Sequence, residues 1–433
     1  MSLRACDWDN CKQPAVQREG DCFLCDRHFC RTHLQDQWHK CPKPEENWEA
    51  YSAQYAATEA RQMNELCHRI NGSKLCTRAS LLRNGIPYNV KWLVRFRLAK
   101  TSSPPVKARD YILRSEAATM NFLRKHTRIP SPEVFDWACE SDPQNPLGGV
   151  GYILMEKIEG EPLDWQLATL SQKEKVMQQL VDIFLEMEKH PFDTIGSITP
   201  ARDPTAFEIQ GFAHHATFRP EYGGSLGPFH SSLEAARVVI ESYLAMIASG
   251  EIAATYPVDV YLVHRFRLDI LNKFGKEILS EGKFFLKHPD DKGDHILINK
   301  AYDIVGIIDW EWCHTVSKED AFSSPCMMWP VAKFYDGSNE LSNDELRFAD
   351  IFRERGRDDL ASYITEGRKV QRFFFALGAA SGRQKDHQTF VDLFIGLKRA
   401  FDSEEEGWDE WKTKAFDKWK SDDLLQALLQ SKT

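Results

Sequence analysis

No stretch of this 433-residue chain approaches the roughly 20 apolar residues that a membrane-spanning helix needs; the run from Phe373 to Leu377 is far too short. No membrane partner is therefore expected. Positive charge is not in excess either. The net charge is −9, which excludes bulk electrostatic attraction to nucleic acid or to anionic lipid. The first residues, Met1-Ser2-Leu3-Arg4-Ala5-Cys6, carry no apolar signal region. Repeats and low-complexity tracts are missing. Past residue 44 cysteine is sparse and scattered (Cys67, Cys76, Cys139, Cys313, Cys326), as in a reducing compartment. These absences give a cytoplasmic expectation, with the nucleus as the other option. What is present, 42% hydrophobic and 12% aromatic residues, is globular rather than disordered. The length allows two or three domains.

The other six cysteines crowd into the first 41 positions with two histidines: Cys6, Cys11, Cys22, Cys25, Cys30, His33, His39 and Cys41. The pattern is C-x(4)-C-x(10)-C-x(2)-C-x(4)-C-x(2)-H-x(5)-H-x-C. Zinc takes four soft or borderline ligands in a tetrahedron, so eight ligands read as two closed structural sites. So short a segment buries too little apolar surface to fold unaided, and metal binding would supply the folding free energy. Histidines at ligand spacing argue against a disulfide framework. His28 is surplus to the pattern.

This spacing resembles the AN-one-type zinc finger, a two-zinc module with interleaved ligand pairs. The resemblance implies that Cys6, Cys11, Cys30 and His33 hold one zinc ion, and that Cys22, Cys25, His39 and Cys41 hold the other. It departs from that family in having four residues, not two, between the first two cysteines.

Pro42-Lys43-Pro44 ends the module. A helix is predicted over 45–70, with Trp48, Tyr51, Tyr55, Met63, Leu66 and Ile70 at helical spacing. Strands are predicted over 80–100, with Asn84-Gly85 as a tight hairpin between Leu81-Leu82 and Trp92–Phe96. A helix over 110–125 presents Ile112, Leu113, Ala117, Met120 and Leu123. The run 152–157 reads as a buried strand. Helices follow at 172–190, 231–249, 343–355 and 358–381. Residues 200–230, without a clear period, read as a long loop.

The exception in this helical half is a strand–loop–strand block at 284–310. Apolar strands bracket a polar, glycine-containing turn, and each ends in an aspartate: Asp290 in Lys287-His288-Pro289-Asp290-Asp291-Lys292-Gly293, and Asp309 in Ile307-Ile308-Asp309-Trp310-Glu311. Phosphoryl transfer uses such a layout, with one carboxylate for the accepting hydroxyl and another for the magnesium that neutralises the phosphates.

The block resembles the kinase-like phosphotransferase superfamily, most closely its aminoglycoside phosphotransferase branch as found in fungi, over about residues 80–400. The resemblance implies an α+β, bilobal, protein kinase-like fold with a small β-rich N-lobe and a large helical C-lobe. The finger would occupy residues 1–44, a linker helix 45–79, the N-lobe 80–160 and the C-lobe 161–433. It implies Asp290 as the catalytic aspartate, Lys292 as the catalytic-loop lysine, Asp309 as the magnesium ligand and His288 as a scaffold for the loop. Arg95 would anchor phosphate and Glu116 would pair with it. The backbone of 153–158 would meet adenine. His295 stands where the family has an asparagine that binds the second metal, with Asp294 as a substitute, and Glu311 shapes the substrate side. There is no G-x-G-x-x-G loop, and the anchor is Arg instead of Lys.

The expected function is therefore ATP- and Mg2+-dependent phosphorylation of a hydroxyl on an unidentified small molecule, since no A-P-E segment marks a protein substrate. Two structural Zn2+ ions complete the cofactors. The alternative is an inactive kinase-like binding protein whose finger recruits a ubiquitin-like protein partner. Trp310, Trp312 and Trp329 read as core, and Glu404-Glu405-Glu406 as a solvated face.

Overall fold

The computed structural model describes residues 2–44, 46–83, 91–203, 206–219, 224–252, 255–379, 387–402 and 404–430. The first 44 residues hold little regular structure: Asp21–Cys22 pairs antiparallel with Arg27–His28. Their apolar centre is only Cys6, Phe29 and Cys30, with Trp8, Cys11, Cys22 and Leu34 packed around them.

Two helices follow where one was expected. Trp48–Arg69 starts at Asn47, whose side chain accepts from the Ala50 amide. Gly72–Leu82 starts at Asn71, capping the Lys74 amide in the same way. Leu81 and Leu82 therefore end a helix and are not strand, because the Asn71 cap restarts the helical register. The Asn84-Gly85 hairpin lies outside the described residues. The first helix buries the face that carries Tyr51 and Tyr55, both half-buried, but not the whole of the predicted pattern. Thr58, Gln62 and Leu66 are buried at a spacing of four, while Trp48 is 66% exposed and Met63 45%.

Trp92–Phe96, Tyr152–Glu156 and Val134–Ala138 form an antiparallel sheet with the 152–156 strand in the centre. Its Tyr152, Ile153, Leu154 and Met155 are all buried, as an apolar run covered on both faces must be. The helix Val106–His126 packs Leu113, Ala117, Met120 and Leu123 into the same core as Ile153 and Met155. That core also takes Ile307, Trp310 and Cys313, so it fixes the segment around Asp309.

Helices dominate the rest. Leu170–Glu188 and Asn343–Glu354 each open on a capping box, Thr169/Gln172 and Ser342/Glu345. The predicted 358–381 helix is two, Asp358–Thr365 and Arg368–Ala379, broken at Glu366-Gly367. Pro257–Ile278, absent from the sequence expectation, is enclosed over its first half, where Val260, Tyr261, Leu262, Val263, His264 and Arg267 are all inside, while Asn272, Lys273, Lys276 and Glu277 are exposed. The 200–230 region is not simply a loop. Ser197–Pro200 pairs with Phe207–Gln210, and Phe218–Arg219 with Gly224–Ser225. A Cβ on Gly196 would stand 1.8 Å from the Gln210 carbonyl oxygen, so this close approach needs glycine.

The block at 284–316 is made of two antiparallel ladders. Phe285–Lys287 pairs with His314–Val316, and Ile296–Ile298 with Ile304–Ile307, to which Glu161–Pro162 adds an edge. Asp290 leaves the first ladder on the loop 288–295. Asp309 lies on the loop that returns to it.

Candidate functional site

The N-terminal ligands converge in two sets. One donor atom each from Cys6, Cys11, Cys30 and His33 lies within 4.8 Å of the others, and the same holds for Cys22, Cys25, His39 and Cys41. These are the sets that interleaved pairing implies, and the long spacer before Cys11 does not keep it out. Cys6 and Cys30 Sγ are each 3.4 Å from His33 Nδ1. A zinc tetrahedron with 2.3 Å bonds has edges of about 3.8 Å, so the donors fit the ion. Burial pushes the Cys6 thiol up to about 11 and the Cys25 thiol up to about 12, with neighbouring sulfurs adding to both. A divalent cation reverses that balance by binding the thiolates. His28 belongs to neither set; it contacts Asp7 Oδ2 at 2.7 Å and the Thr101 carbonyl at 3.0 Å.

This module is fastened to two distant segments. On one side Thr101 Oγ1 donates to Asp26 at 2.5 Å, and Arg4 to the Thr101 carbonyl at 2.6 Å. On the other, the Gln17 amide donates to the Glu251 carbonyl at 2.8 Å. Gln17 Nε2 and the Leu3 amide reach the Glu251 carboxylate at 2.7 and 3.0 Å. Arg31 donates to the Ile252 carbonyl at 3.1 Å. Glu251 is 4% exposed, so these bonds are shielded from water. Residues 97–105 follow the first strand of the sheet, and Glu251 and Ile252 join the helices Ser232–Ser249 and Pro257–Ile278.

A second constellation joins the sheet, the 106–126 helix and the Asp309 loop. Arg95 Nη1 donates to Glu116 Oε1 at 2.5 Å and to Asp309 Oδ1 at 3.1 Å, and its Nη2 to Glu311 at 3.2 Å. Arg97 bonds Glu116 and Glu311, each at 2.5 Å. Glu116 is 1% exposed. Burial pushes its carboxyl up, against the pull of Arg95 and Arg97. Burial would lower the Arg95 guanidinium, but Glu116, Asp309 and Glu311 outweigh it and hold it above its ordinary value. Arg97 was missed in the sequence, although it stands two residues after Arg95 and so shares its face of an extended strand. Glu311 belongs to this network.

Two guanidinium groups here meet three carboxylates, which leaves one negative charge in excess. The most exposed carboxylate is Asp309, with 51% of its side chain open to solvent. Its φ is +61°, in the left-handed region that few non-glycine residues occupy. The backbone is bent there while Trp310, 2% exposed, is held beneath by its Nε1 bond to the Ile307 carbonyl at 2.8 Å.

The Asp290 loop is tied to the Asp309 loop. His288 Nε2 donates to the Ile308 carbonyl at 3.0 Å, and the Ile308 amide donates to the His295 carbonyl at 2.9 Å. The His288 and His295 rings stack with centroids 4.2 Å apart, and Trp310 meets His288 edge-on. His295 thus sits in a ring stack. Its Nδ1 is buried without a hydrogen-bond partner among the described residues. Burial pushes it down to about 3, with His288 and Lys292 adding, so the imidazole is neutral. Asp290 is partly exposed and lies 3.1 Å from Lys292 Nζ, which it holds above the usual lysine value. Gly293, at φ +109°, lets the loop turn against Met327. Beneath it, burial pushes Asp291 up to about 6, while Lys287 pulls the other way.

No family model matches the chain. Over 108 residues it is 34% identical to a subtelomeric hrmA-associated cluster protein of Aspergillus fumigatus, in each of two strains. That match covers 24% of this chain and 21% of the relative, so the matched part spans about a fifth of the curated relatives' length. Among solved structures it is similar to the GDP complex of aminoglycoside 2'-phosphotransferase-IIIa (TM-score 0.41, 12% identity, 76% of this chain and 99% of that one). It is also similar to ADP-bound aminoglycoside phosphotransferase APH(2'')-Ib (0.39, 11%, 75% and 97%). A third is a thermostable APH(4)-Ia variant in ternary complex with AMP-PNP and hygromycin B (0.36, 14%, 72% and 88%). At these scores and identities they bear on neither substrate nor chemistry.

Proposed function

We propose that the chain is an ATP- and magnesium-dependent phosphotransferase that phosphorylates a hydroxyl group of a small molecule. The observation that carries this reading is the coupling of two carboxylate loops through His288, Ile308 and His295, with Asp309 joined to the Arg95–Glu116 pair. Asp290 orients the accepting hydroxyl and takes up its proton, beside Lys292, whose ammonium faces the transferring phosphoryl group. Arg95 holds nucleotide phosphate, and Glu116 with Arg97 holds Arg95 in place. The O–P bond to the acceptor forms as the bond to the leaving ADP breaks.

The donor set suits magnesium at one corner. Asp309 offers carboxylate oxygen and the local excess of negative charge, and Asp294, exposed on the other loop, is a second oxygen source. His295 offers neither oxygen nor a free orientation. When bound, the ion would supply charge neutralisation on the phosphates.

The zinc module is proposed to act within the chain, as a strap between residues 97–105 and residues 251–252. The stacked His295 and the absent glycine-rich loop favour the other reading, an inactive phosphotransferase-like binder. Asp290→Asn separates the two. In an enzyme it abolishes transfer and leaves nucleotide binding in place.

A further inference from the structure

Next to the Asp290 loop lies a cavity of about 430 Å³, within the range of about 300–1,000 Å³ usual for small-molecule sites. It lies between the hairpin after Ile195, the first half of the helix Ser232–Ser249, and the strand His314–Val316. Pro289, the residue before Asp290, forms part of the wall, and so does Trp312, three residues after Asp309. The cavity therefore borders both carboxylate loops.

Its wall is apolar. Ile195, Phe212, Ala235, Val239, Trp312 and Phe374 are among its lining residues. Trp312, expected in the core, lies here with His214 edge-on to it at 5.5 Å. The charged groups on the wall, Lys287 and Asp320, cancel each other: Lys287 Nζ pairs with the Asp320 carboxylate and donates to its carbonyl at 2.9 Å. Burial keeps His314 below its ordinary value, hence neutral. Among the described lining residues no carboxylate is left to meet a cation.

We propose that this cavity is the acceptor site and that it takes a small neutral alcohol or phenol with an aromatic or alicyclic body, not a polycationic amino sugar. This rests on the phosphotransferase reading given above. A polyamine would shed its hydration against a wall with no compensating charge, whereas an apolar ring gains by leaving water. His214, His314 and Thr217 offer polar contacts that orient the hydroxyl. In the transfer the hydroxyl oxygen forms the new O–P bond, its proton goes to the Asp290 carboxylate, and ADP leaves with the electron pair of the broken bond.

The test uses the zinc-loaded full chain and 2-naphthol, a fluorescent neutral aromatic alcohol, with hygromycin B as the cationic competitor. The expected result is saturable 2-naphthol binding that excess hygromycin B does not displace. Val239→Trp, which fills the cavity, should weaken binding by more than about tenfold. Displacement by hygromycin B, or no saturable binding to the parent protein, overturns the proposal without reliance on any variant. MgATP binding is titrated separately. If 2-naphthol and MgATP both bind but no phosphate is transferred to the naphthol, the acceptor assignment falls. If 2-naphthol binds and MgATP does not, the phosphotransferase reading falls while the preference for neutral rings stands.

Discussion

Arg95 and Asp309, 214 residues apart in sequence, are joined by a 3.1 Å hydrogen bond, and the same guanidinium nitrogen holds Glu116 at 2.5 Å. One cation thus ties the sheet, the helix beneath it and the second carboxylate loop. Remove Glu116 and both guanidinium groups lose the buried carboxylate that they share.

Glu116→Ala leaves Arg95 and Arg97 facing each other with only Glu311 and Asp309 to balance them. Breaking a buried ion pair from one side destabilises by about 3 kcal/mol. Urea denaturation should show a loss of that order, and Glu116→Gln, which keeps the shape and one of the two accepting oxygens, a smaller one. Equal stability of Glu116→Ala and the parent would show that the network is not structural.

His295 gives a signed pH dependence. Its folded value is pushed down to about 3 by burial, whereas an unfolded imidazole titrates at about 6.5. Between these values the unfolded chain binds a proton that the folded chain refuses. Stability from this residue is therefore complete above about 6.5 and falls as the pH drops toward 3, by about 2 kcal/mol at pH 5. Urea midpoints of nucleotide-free protein at pH 7 and pH 5 should converge in His295→Asn relative to the parent. The same drop in both would place the sensitivity in another group, such as His264, which burial also holds far below its ordinary value.

The zinc module predicts a metal count and a distant consequence. Cys30→Ser should lower bound zinc from about two ions per chain to about one. Chelation should speed amide exchange at Gln17, which donates to the Glu251 carbonyl, and at residues 249–252. Faster exchange within residues 2–44 with residues 249–252 unchanged would mean that the module does not support the rest.

Asp290→Asn keeps the size of the side chain and removes the proton acceptor. ATP-dependent phosphorylation of an acceptor should fall by more than about a hundredfold, with nucleotide affinity retained in calorimetry. Loss of nucleotide binding would make Asp290 a structural residue of its loop.

Where the pattern was periodic or the chemistry discrete, the sequence was readable. Ile112, Leu113, Ala117, Met120 and Leu123 all face the core of their helix. The eight metal ligands converge in the two sets that the zinc-finger resemblance implies. What stayed hidden has physical reasons. The first half of Pro257–Ile278 is buried all round from Val260 to His264, so it shows no polar face for a period to reveal. The first long helix buries Thr58 and Gln62, which a hydrophobicity pattern assigns to solvent. Strands of two to four residues, such as Phe207–Gln210, are too short to show alternation. Arg97 and the role of Trp312 depend on tertiary neighbours. The coupling of the two aspartate loops through His288 and His295 is a matter of ring stacking and backbone bonds, which sequence spacing does not carry.

The most direct measurement is calorimetric titration of ATP into the zinc-loaded protein, with and without magnesium, in the parent and in Asp309→Ala. Saturable binding that magnesium strengthens, and that Asp309→Ala deprives of its magnesium dependence, is the predicted result. No binding at millimolar ATP, or binding indifferent to both magnesium and Asp309, would contradict the phosphotransferase reading.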